Sequence, residues 1–101
     1  MRILVLLDPT NRRGTKTAYT NLRNFLRDDG YQRIGVELYM RIATNRKGAE
    51  KHIRRLQAYD PKTGVVRILK LTEKQYAGIQ YLTGGPDMQE EIVGNKAHIT
   101  L

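Results

Sequence analysis

The sequence predicts an α+β fold in which two helices lie against a β-sheet. The apolar run at residues 3–7 indicates a buried strand, which Pro9 ends because proline cannot continue a ladder. Two stretches with apolar residues at helical spacing follow, and a strand-like alternation separates them. A second mostly apolar strand is predicted at residues 65–71.

The first helix is expected to begin at Thr15, an N-cap residue type, and to stop at Gly30. One apolar stripe of this helix is formed by Ala18, Leu22, Phe25 and Leu26. The adjacent acids Asp28 and Asp29 oppose the helix dipole in the last turn, so we expect basic neighbours or solvent around them.

The second helix is expected after an N-cap at Thr44 or Asn45 and before the turn at residues 60–64. Its apolar stripe is formed by Ala49, Ile53 and Leu56. His52 lies in a basic stretch of this helix, and the sequence predicts a surface position for it and for His98.

Between the helices, residues 31–43 alternate strictly between apolar and polar side chains, which indicates strand structure with one face in the core. The apolar members are Ile34, Val36, Leu38, Met40 and Ile42. Thirteen residues are long for one strand. One bent strand and two short strands separated near Gly35 both fit the pattern.

Residues 72–76 are consistent with one helical turn, and residues 78–82 with a short final strand. The resulting order is the ferredoxin-like β-α-β-β-α-β pattern with an additional C-terminal strand. We assign residues 1–83 to this domain and residues 84–101 to an extension that docks on a partner. Alternating Ala97, Ile99 and Leu101 suggest a strand in the extension.

Two helices cover one face of such a sheet, yet the strands at 3–7 and 65–71 are apolar on both faces. The other face therefore needs a partner, and a second copy packed sheet on sheet is the economical solution. In that homodimer the two Asp8 carboxylates can approach each other across the two-fold axis, where a proton or cation would relieve their repulsion.

The net charge of +8 indicates a polyanionic partner, with nucleic acid the first candidate. Residues 1–64 carry 14 Lys and Arg against 6 Asp and Glu. The predicted phosphate contacts are Arg12, Arg13, Lys16, Arg23, Arg27, Arg46, Lys47, Lys51, Arg54 and Arg55. No apolar run approaches a membrane span, and the lack of cysteine fits a cytoplasmic protein.

Asp8 is the strongest candidate for metal chemistry, because a carboxylate at the exit of a central strand is a hard oxygen ligand for Mg²⁺ or another divalent cation. Such an ion would suit phosphodiester cleavage, with Asp8 as the catalytic and metal-binding residue. Asp8 also fits a simple turn with Pro9. Glu37 is either a further acidic ligand or a salt-bridge partner of Arg33, Arg41 or Arg67.

These residues carry a resemblance to a known family. The signature is an apolar strand ending in Asp8 and Pro9, then Val-Arg-Ile-Leu at 66–69 followed by Leu-Thr-Glu-Lys-Gln-Tyr at 71–76. It resembles the CRISPR-associated protein two family, the small adaptation subunit, in the form found in type II systems. The resemblance covers residues 1 to about 83. The extension from residue 84 is outside it.

The resemblance implies a homodimeric scaffold that bridges pairs of the larger adaptation protein, an integrase, during spacer acquisition. It implies binding of double-stranded prespacer DNA and of CRISPR repeat DNA. It also implies a metal-dependent endonuclease acting on RNA or DNA, with Asp8 as the magnesium ligand. Glu37 stands where this family often has serine, which weighs against the nuclease. A third hypothesis is an RNA-binding or small-ligand regulatory domain of the same fold.

Overall fold

The computed structural model describes residues 1–10 and 15–85. In chain order the elements are β1 (Arg2–Asp8), α1 (Thr15–Asp28), β2 (Gln32–Gly35), β3 (Leu38–Ile42), α2 (Arg46–Leu56), a 3₁₀ turn (Gln57–Tyr59), β4 (Val65–Leu71) and α3 (Glu73–Ala77). Arg12, Arg13, His98 and the predicted strand at 97–101 lie outside the described residues. None of the helices in the described ranges is long and apolar enough to cross a membrane.

The four strands form one antiparallel sheet in the order β2-β3-β1-β4. This order confirms the α+β prediction and is compatible with the ferredoxin-like pattern. Strand β1 is central, with Val5 opposite Tyr39 on β3 and opposite Ile68 on β4. Residues 31–43 form two strands, because a turn at residues 36–37 divides them and Glu37 adopts a φ of 57°.

The core lies between one face of the sheet and the two long helices. Ile3, Val5 and Leu7 on β1 are almost fully buried, since odd-numbered residues of this strand point toward the helices. The helices contribute Tyr19, Leu22, Leu26, Ala49 and Leu56 to the same cluster. The even-numbered residues of β1 point to the opposite face of the sheet.

Helix α1 ends at Asp28, and Gly30 takes the predicted C′ position after it with a φ of +91°. The amide of Tyr31 donates to the carbonyl of Leu26 at 2.8 Å, and the amide of Gly30 donates to the carbonyl of Arg27 at 3.2 Å. This pair of bonds is a Schellman motif, which glycine favours because it needs a left-handed residue. Thr15 is the first helical residue and is buried, whereas we expected an N-cap.

The predicted stripe of α1 was partly wrong. Tyr19 is 1% exposed and belongs to the core with Leu22 and Leu26, whereas Ala18 and Phe25 are only partly buried. Apolar spacing missed Tyr19 because its ring is apolar while its hydroxyl is polar. That hydroxyl reaches the carbonyl of Thr63 at 2.6 Å.

The expected core face of residues 31–43 was also wrong. Residues directly opposite each other in a ladder share a face, so Tyr39 opposite Val5 points toward the helices, where it is buried. The apolar set therefore takes the other face of the sheet. Met40 is nevertheless buried there, whereas Ile42 is 58% exposed.

Helix α2 begins as predicted after Asn45, whose side chain accepts a hydrogen bond of 2.8 Å from the amide of Gly48. The surface position predicted for His52 was wrong, because His52 is 7% exposed. It lies three residues after buried Ala49 and therefore turns toward the same side of α2.

A single short helix follows β4, as predicted, and Thr72 caps it in a capping box with Gln75. The additional strand predicted at 78–82 was wrong for the single chain, since these residues adopt no strand structure. The amides of Gly78 and Ile79 donate to carbonyls of α3, so the start of this segment is hydrogen-bonded to the last turn of that helix.

Candidate nucleic-acid interface and metal site

The face of the sheet opposite the two long helices is apolar, and we call it the open face. Within the described residues, α3 and Arg2 cover only one end of it. The register places on this face one exposed cation, Arg67 opposite Leu6, among the apolar side chains of Leu4, Leu6, Leu38, Met40, Ile42, Val65, Leu69 and Leu71. Ile42 and Leu69 are more than half exposed. An apolar surface of this extent is typical of an interaction site.

Asp8 lies at the edge of the open face, where β1 ends. Its side chain is 64% exposed, and its Oδ2 lies 3.7 Å from Nη1 of Arg67 on β4. This separation makes a loose, solvent-exposed ion pair of small energetic value. The carboxylate therefore remains accessible from solvent, as a metal ligand requires.

Asp8 has no companions for a complete metal site in the part of the chain described here. No three His, Asp or Glu side chains in residues 1–10 and 15–85 come close enough to hold a metal ion. One exposed carboxylate fits a hard divalent cation as a single ligand, and Mg²⁺ usually retains several waters beside one or two carboxylates. Within these residues Asp8 therefore offers one metal ligand and not a complete metal site.

Glu37 is bound by Arg23, which was not among the partners predicted for it. Nε of Arg23 donates to Oε1 of Glu37 at 3.0 Å, and Nη2 donates to Oε2. These hydrogen bonds hold the pKa of the Glu37 carboxyl below its ordinary value. A bidentate pair of this kind fixes both side chains. Glu37 is therefore occupied as an ion-pair partner, and this favours the salt-bridge interpretation over the metal ligand.

The predicted phosphate contacts fall into two groups. Arg23 and Arg55 form ion pairs within the chain, the latter with Oδ1 of Asp29 at 2.8 Å. The others in the described ranges are exposed, namely Lys16 and Arg27 on α1, and Arg46, Lys47, Lys51 and Arg54 on α2. These four exposed cations of α2 lie within three turns of one helix, and we call them the α2 basic face.

Comparison with known proteins gives the family. No family model matches the chain, but curated relatives align along most of it. A CRISPR-associated endoribonuclease Cas2 of Acidovorax ebreus is 44% identical over 100% of this chain and 99% of its own length. The protein of the same name from Ligilactobacillus salivarius is 34% identical over 83% of this chain and 84% of its own length. The chain belongs to the CRISPR-associated Cas2 family.

A further Cas2, from Streptococcus mutans serotype c, is 33% identical over 86% of this chain and 81% of its own length. The resemblance drawn from the strand motifs is thereby confirmed. All three of these relatives are named endoribonuclease.

A partly buried polar cluster of this Cas2-family chain was missed by sequence reasoning. Nδ1 of His52 lies 3.2 Å from Oδ2 of Asp29, and Arg55 donates to the other oxygen of that carboxylate. Arg41 donates to the backbone carbonyl of Asp29. The cluster confirms the expected basic surroundings of this acid and joins the end of α1 to α2. The only local signal was the spacing of Ala49 and His52.

A second unpredicted cluster attaches α3 to the start of β1. Nε of Arg2 lies 3.1 and 3.2 Å from the carboxylate oxygens of Glu73, and its guanidinium stacks 4.1 Å from the centre of the Tyr76 ring. The same guanidinium donates to Sδ of Met40 at 3.7 Å. These contacts cover one end of the open face and explain why Met40 is buried there.

Proposed function

We propose that this Cas2-family chain acts in CRISPR adaptation as a homodimeric scaffold. The dimer binds prespacer duplex DNA through phosphate contacts and bridges dimers of the integrase. The observation that carries the proposal is the open face, because a central antiparallel sheet with one exposed apolar face calls for a partner.

A second copy is the simplest partner for the open face. Packing the faces of two sheets against each other at about 10 Å buries alternate side chains of both, as in a β-sandwich. Leu6 and Leu69 lie near the middle of the face and are 39% and 55% exposed in the single chain. Their burial would supply hydrophobic free energy in proportion to the apolar area removed from water.

The α2 basic face supports a polyanionic partner for this dimer. Its four exposed cations lie on the helix layer, which a sheet-on-sheet dimer leaves on the outside. Contacts between such cations and phosphates give affinity without sequence preference, which suits a scaffold that accepts DNA of any sequence. CRISPR repeat DNA would be bound by the same chemistry.

The test combines sedimentation velocity with DNA binding. We expect the purified chain to sediment as a dimer and to bind a fluorescent duplex with an affinity that falls steeply as salt rises. The double variant K51Q/R54Q should lower the slope of log affinity against log salt by about one for each phosphate that is no longer neutralised. A monomer at working concentrations, or binding that does not depend on salt, would exclude the scaffold.

A partner test follows for the integrase. The variant K51Q/R54Q should still co-purify with the integrase, but it should retain less prespacer DNA than the unchanged chain. Loss of both together would indicate that α2 contacts the integrase instead. Retention of both would show that DNA is bound by other residues.

A metal-dependent endonuclease is the second candidate, and the exposed Asp8 carboxylate favours it. In a sheet-on-sheet dimer the two Asp8 residues come from the face that is packed, so they can share one Mg²⁺. The ion would supply charge neutralisation at the scissile phosphate and a more acidic bound water. The relatives named endoribonuclease point to RNA as the substrate.

The variant D8N tests this second candidate by two readouts. It should lose saturable Mg²⁺ binding in calorimetry and lose RNA cleavage, while its sedimentation as a dimer is unchanged. The variant D60N is a suitable control, because Asp60 is exposed and lies in a turn before β4. Cleavage that survives in D8N would assign the activity to other residues.

A further inference from the structure

A basic groove lies between α1 and the β2–β3 hairpin. It has a volume of about 800 Å³. The lining residues are Arg23, Arg27, Tyr31, Gln32, Arg33, Val36, Glu37 and Tyr39. Arginines from two different elements therefore face one concave surface. The groove is separate from the α2 basic face and from Asp8.

The guanidinium groups of this groove are held in place by neighbouring acceptors. Arg23 is fixed by Glu37, Nε of Arg33 donates to the carbonyl of Gly35 at 3.2 Å, and Arg27 donates to Oδ1 of Asn24. A guanidinium has five N–H donors, so each of these bonds leaves other donors for a ligand. Side chains that are already oriented lose little entropy when a ligand binds.

The charge of the groove selects an anion. Among the lining residues that the structure describes, three arginines oppose one carboxylate, and that carboxylate is bound to Arg23. The carboxylate of Glu37 also attracts Arg33, so the lining keeps an excess of two positive charges rather than three. Buried Tyr31 and Tyr39 form a wall of low polarity, which strengthens the field of the arginines within the groove.

The groove and the α2 basic face lie near opposite edges of the sheet. Arg23 on α1 is joined to the turn between β2 and β3, whereas Glu50 on α2 is joined to Lys70 on β4. Strands β2 and β4 are the two edges of the sheet. If a nucleic acid is bound along α2, the groove therefore remains free to bind a different segment of a nucleic-acid strand.

We propose that this groove is a phosphate-binding site that takes a backbone phosphate of a nucleic-acid strand. The inference rests on the proposed function for its choice of nucleic acid, and it adds Arg33 as a ligand-binding residue. Planar guanidinium groups match phosphate oxygens by paired hydrogen bonds, which makes phosphate the best-fitting anion.

The first test uses pyrophosphate as the probe. Titration followed by amide chemical shifts should give saturable changes at residues 23–39. In R27Q/R33Q we expect affinity to fall by at least about tenfold, because two charged hydrogen-bond donors are removed. The variant K62Q/K74Q removes the same charge from exposed lysines outside both basic surfaces and should change the affinity less than about twofold, since distant exposed charges are screened. Equal losses in both variants, or no saturable shifts, would overturn the proposal.

A second arm separates nucleic acid from free phosphate. A short single-stranded oligonucleotide should compete with pyrophosphate and should bind R27Q/R33Q more weakly than the unchanged protein. If R27Q/R33Q loses pyrophosphate binding but binds the oligonucleotide normally, the nucleic-acid assignment is wrong. Failure of the scaffold function would be seen separately, as a monomer in sedimentation or as duplex binding that does not respond to K51Q/R54Q.

A charge change of opposite sign gives an internal check. The variant E37Q removes the carboxylate of the groove. If the local field determines affinity, the affinity for pyrophosphate should therefore rise by at least about threefold. The variant E50Q removes a carboxylate that is paired with Lys70 near the β4 edge of the sheet, and it should leave the affinity for pyrophosphate unchanged. Equal effects of E37Q and E50Q would assign the binding to net charge and overturn the site. Thermal melting verifies that both variants are folded.

Discussion

The hydroxyl of Tyr19 donates a hydrogen bond of 2.6 Å to the carbonyl oxygen of Thr63, which joins α1 to the turn before β4. Burial raises the pKa of this hydroxyl, so it stays protonated as a donor. The contact brings the turn against the end of β1, where Asp8 lies opposite Val65. The position of the candidate metal ligand therefore depends on a tight turn packed against a buried tyrosine.

Gly64 is the residue that allows this close packing. Its φ is +71°, and a Cβ atom there would lie 2.7 Å from the carbonyl oxygen of Asp8 and still closer to the Tyr19 hydroxyl. We expect G64A to lower the free energy of unfolding by about 3 kcal/mol, from backbone strain together with overpacking. Denaturant unfolding gives this value.

The control for this prediction is Gly84. Its φ is +82°, but a Cβ atom there would meet no atom of the described residues within 4 Å. We expect G84A to cost about 1 kcal/mol or less, because only the backbone term remains. If both variants lost the same free energy, contact with Tyr19 and Asp8 would have no part in the cost.

Asp29 should be a second point of strong sensitivity. Its carboxylate accepts from Arg55 and is paired with buried His52, and its side chain is 11% exposed. We expect D29A to lower the free energy of unfolding by about 2–4 kcal/mol, because His52 and Arg55 lose their buried acceptor. The neighbouring exposed acid provides a matched control, and D28A should change stability by about 0.5 kcal/mol or less. Equal effects would show that the cluster contributes little.

The sequence predicted best where local chemistry decides the structure. Gly30 and Asn45 mark the ends of helices because left-handed backbone and side-chain capping depend on the residue itself. The alternation at residues 31–43 correctly indicated strand structure. Which of the two alternating sets faces the core is decided by the pairing register with β1, and the sequence of a single strand does not specify that register.

Residues whose role depends on distant partners were misplaced. His52 is buried because Asp29, 23 residues away, accepts from it, and the apolar pattern counts histidine as polar. Glu37 is paired with Arg23 because the β2–β3 turn packs beside α1, and three other arginines were expected instead. Exposed Asp8 was identified correctly as a strand-end carboxylate, since only its place at the end of an apolar run was needed.

The open face yields a prediction that separates dimerisation from folding. Leu69 and Ile68 are neighbours on β4 and point to opposite faces of the sheet. We expect L69K to convert the proposed dimer to a monomer, because a charge would be buried between the sheets. Ile68 points toward the helices and is 40% exposed, so I68K should remain a dimer. Sedimentation velocity distinguishes these results, and circular dichroism checks that both variants are folded.

The Arg23–Glu37 pair predicts how stability depends on pH. Arg23 holds the pKa of Glu37 in the folded protein below the ordinary value of 4.5, so the pair stabilises the fold above that pH. As pH falls below 4.5 and through the lower folded pKa, Glu37 becomes protonated and this contribution is lost. We expect the unfolding free energy of E37Q to fall less steeply over this range than that of the unchanged protein. R23Q should behave like E37Q, because it removes the cause of the shift. Parallel pH curves for all three proteins would show that the pair contributes nothing to stability, and the double variant R23Q/E37Q would then add no further change.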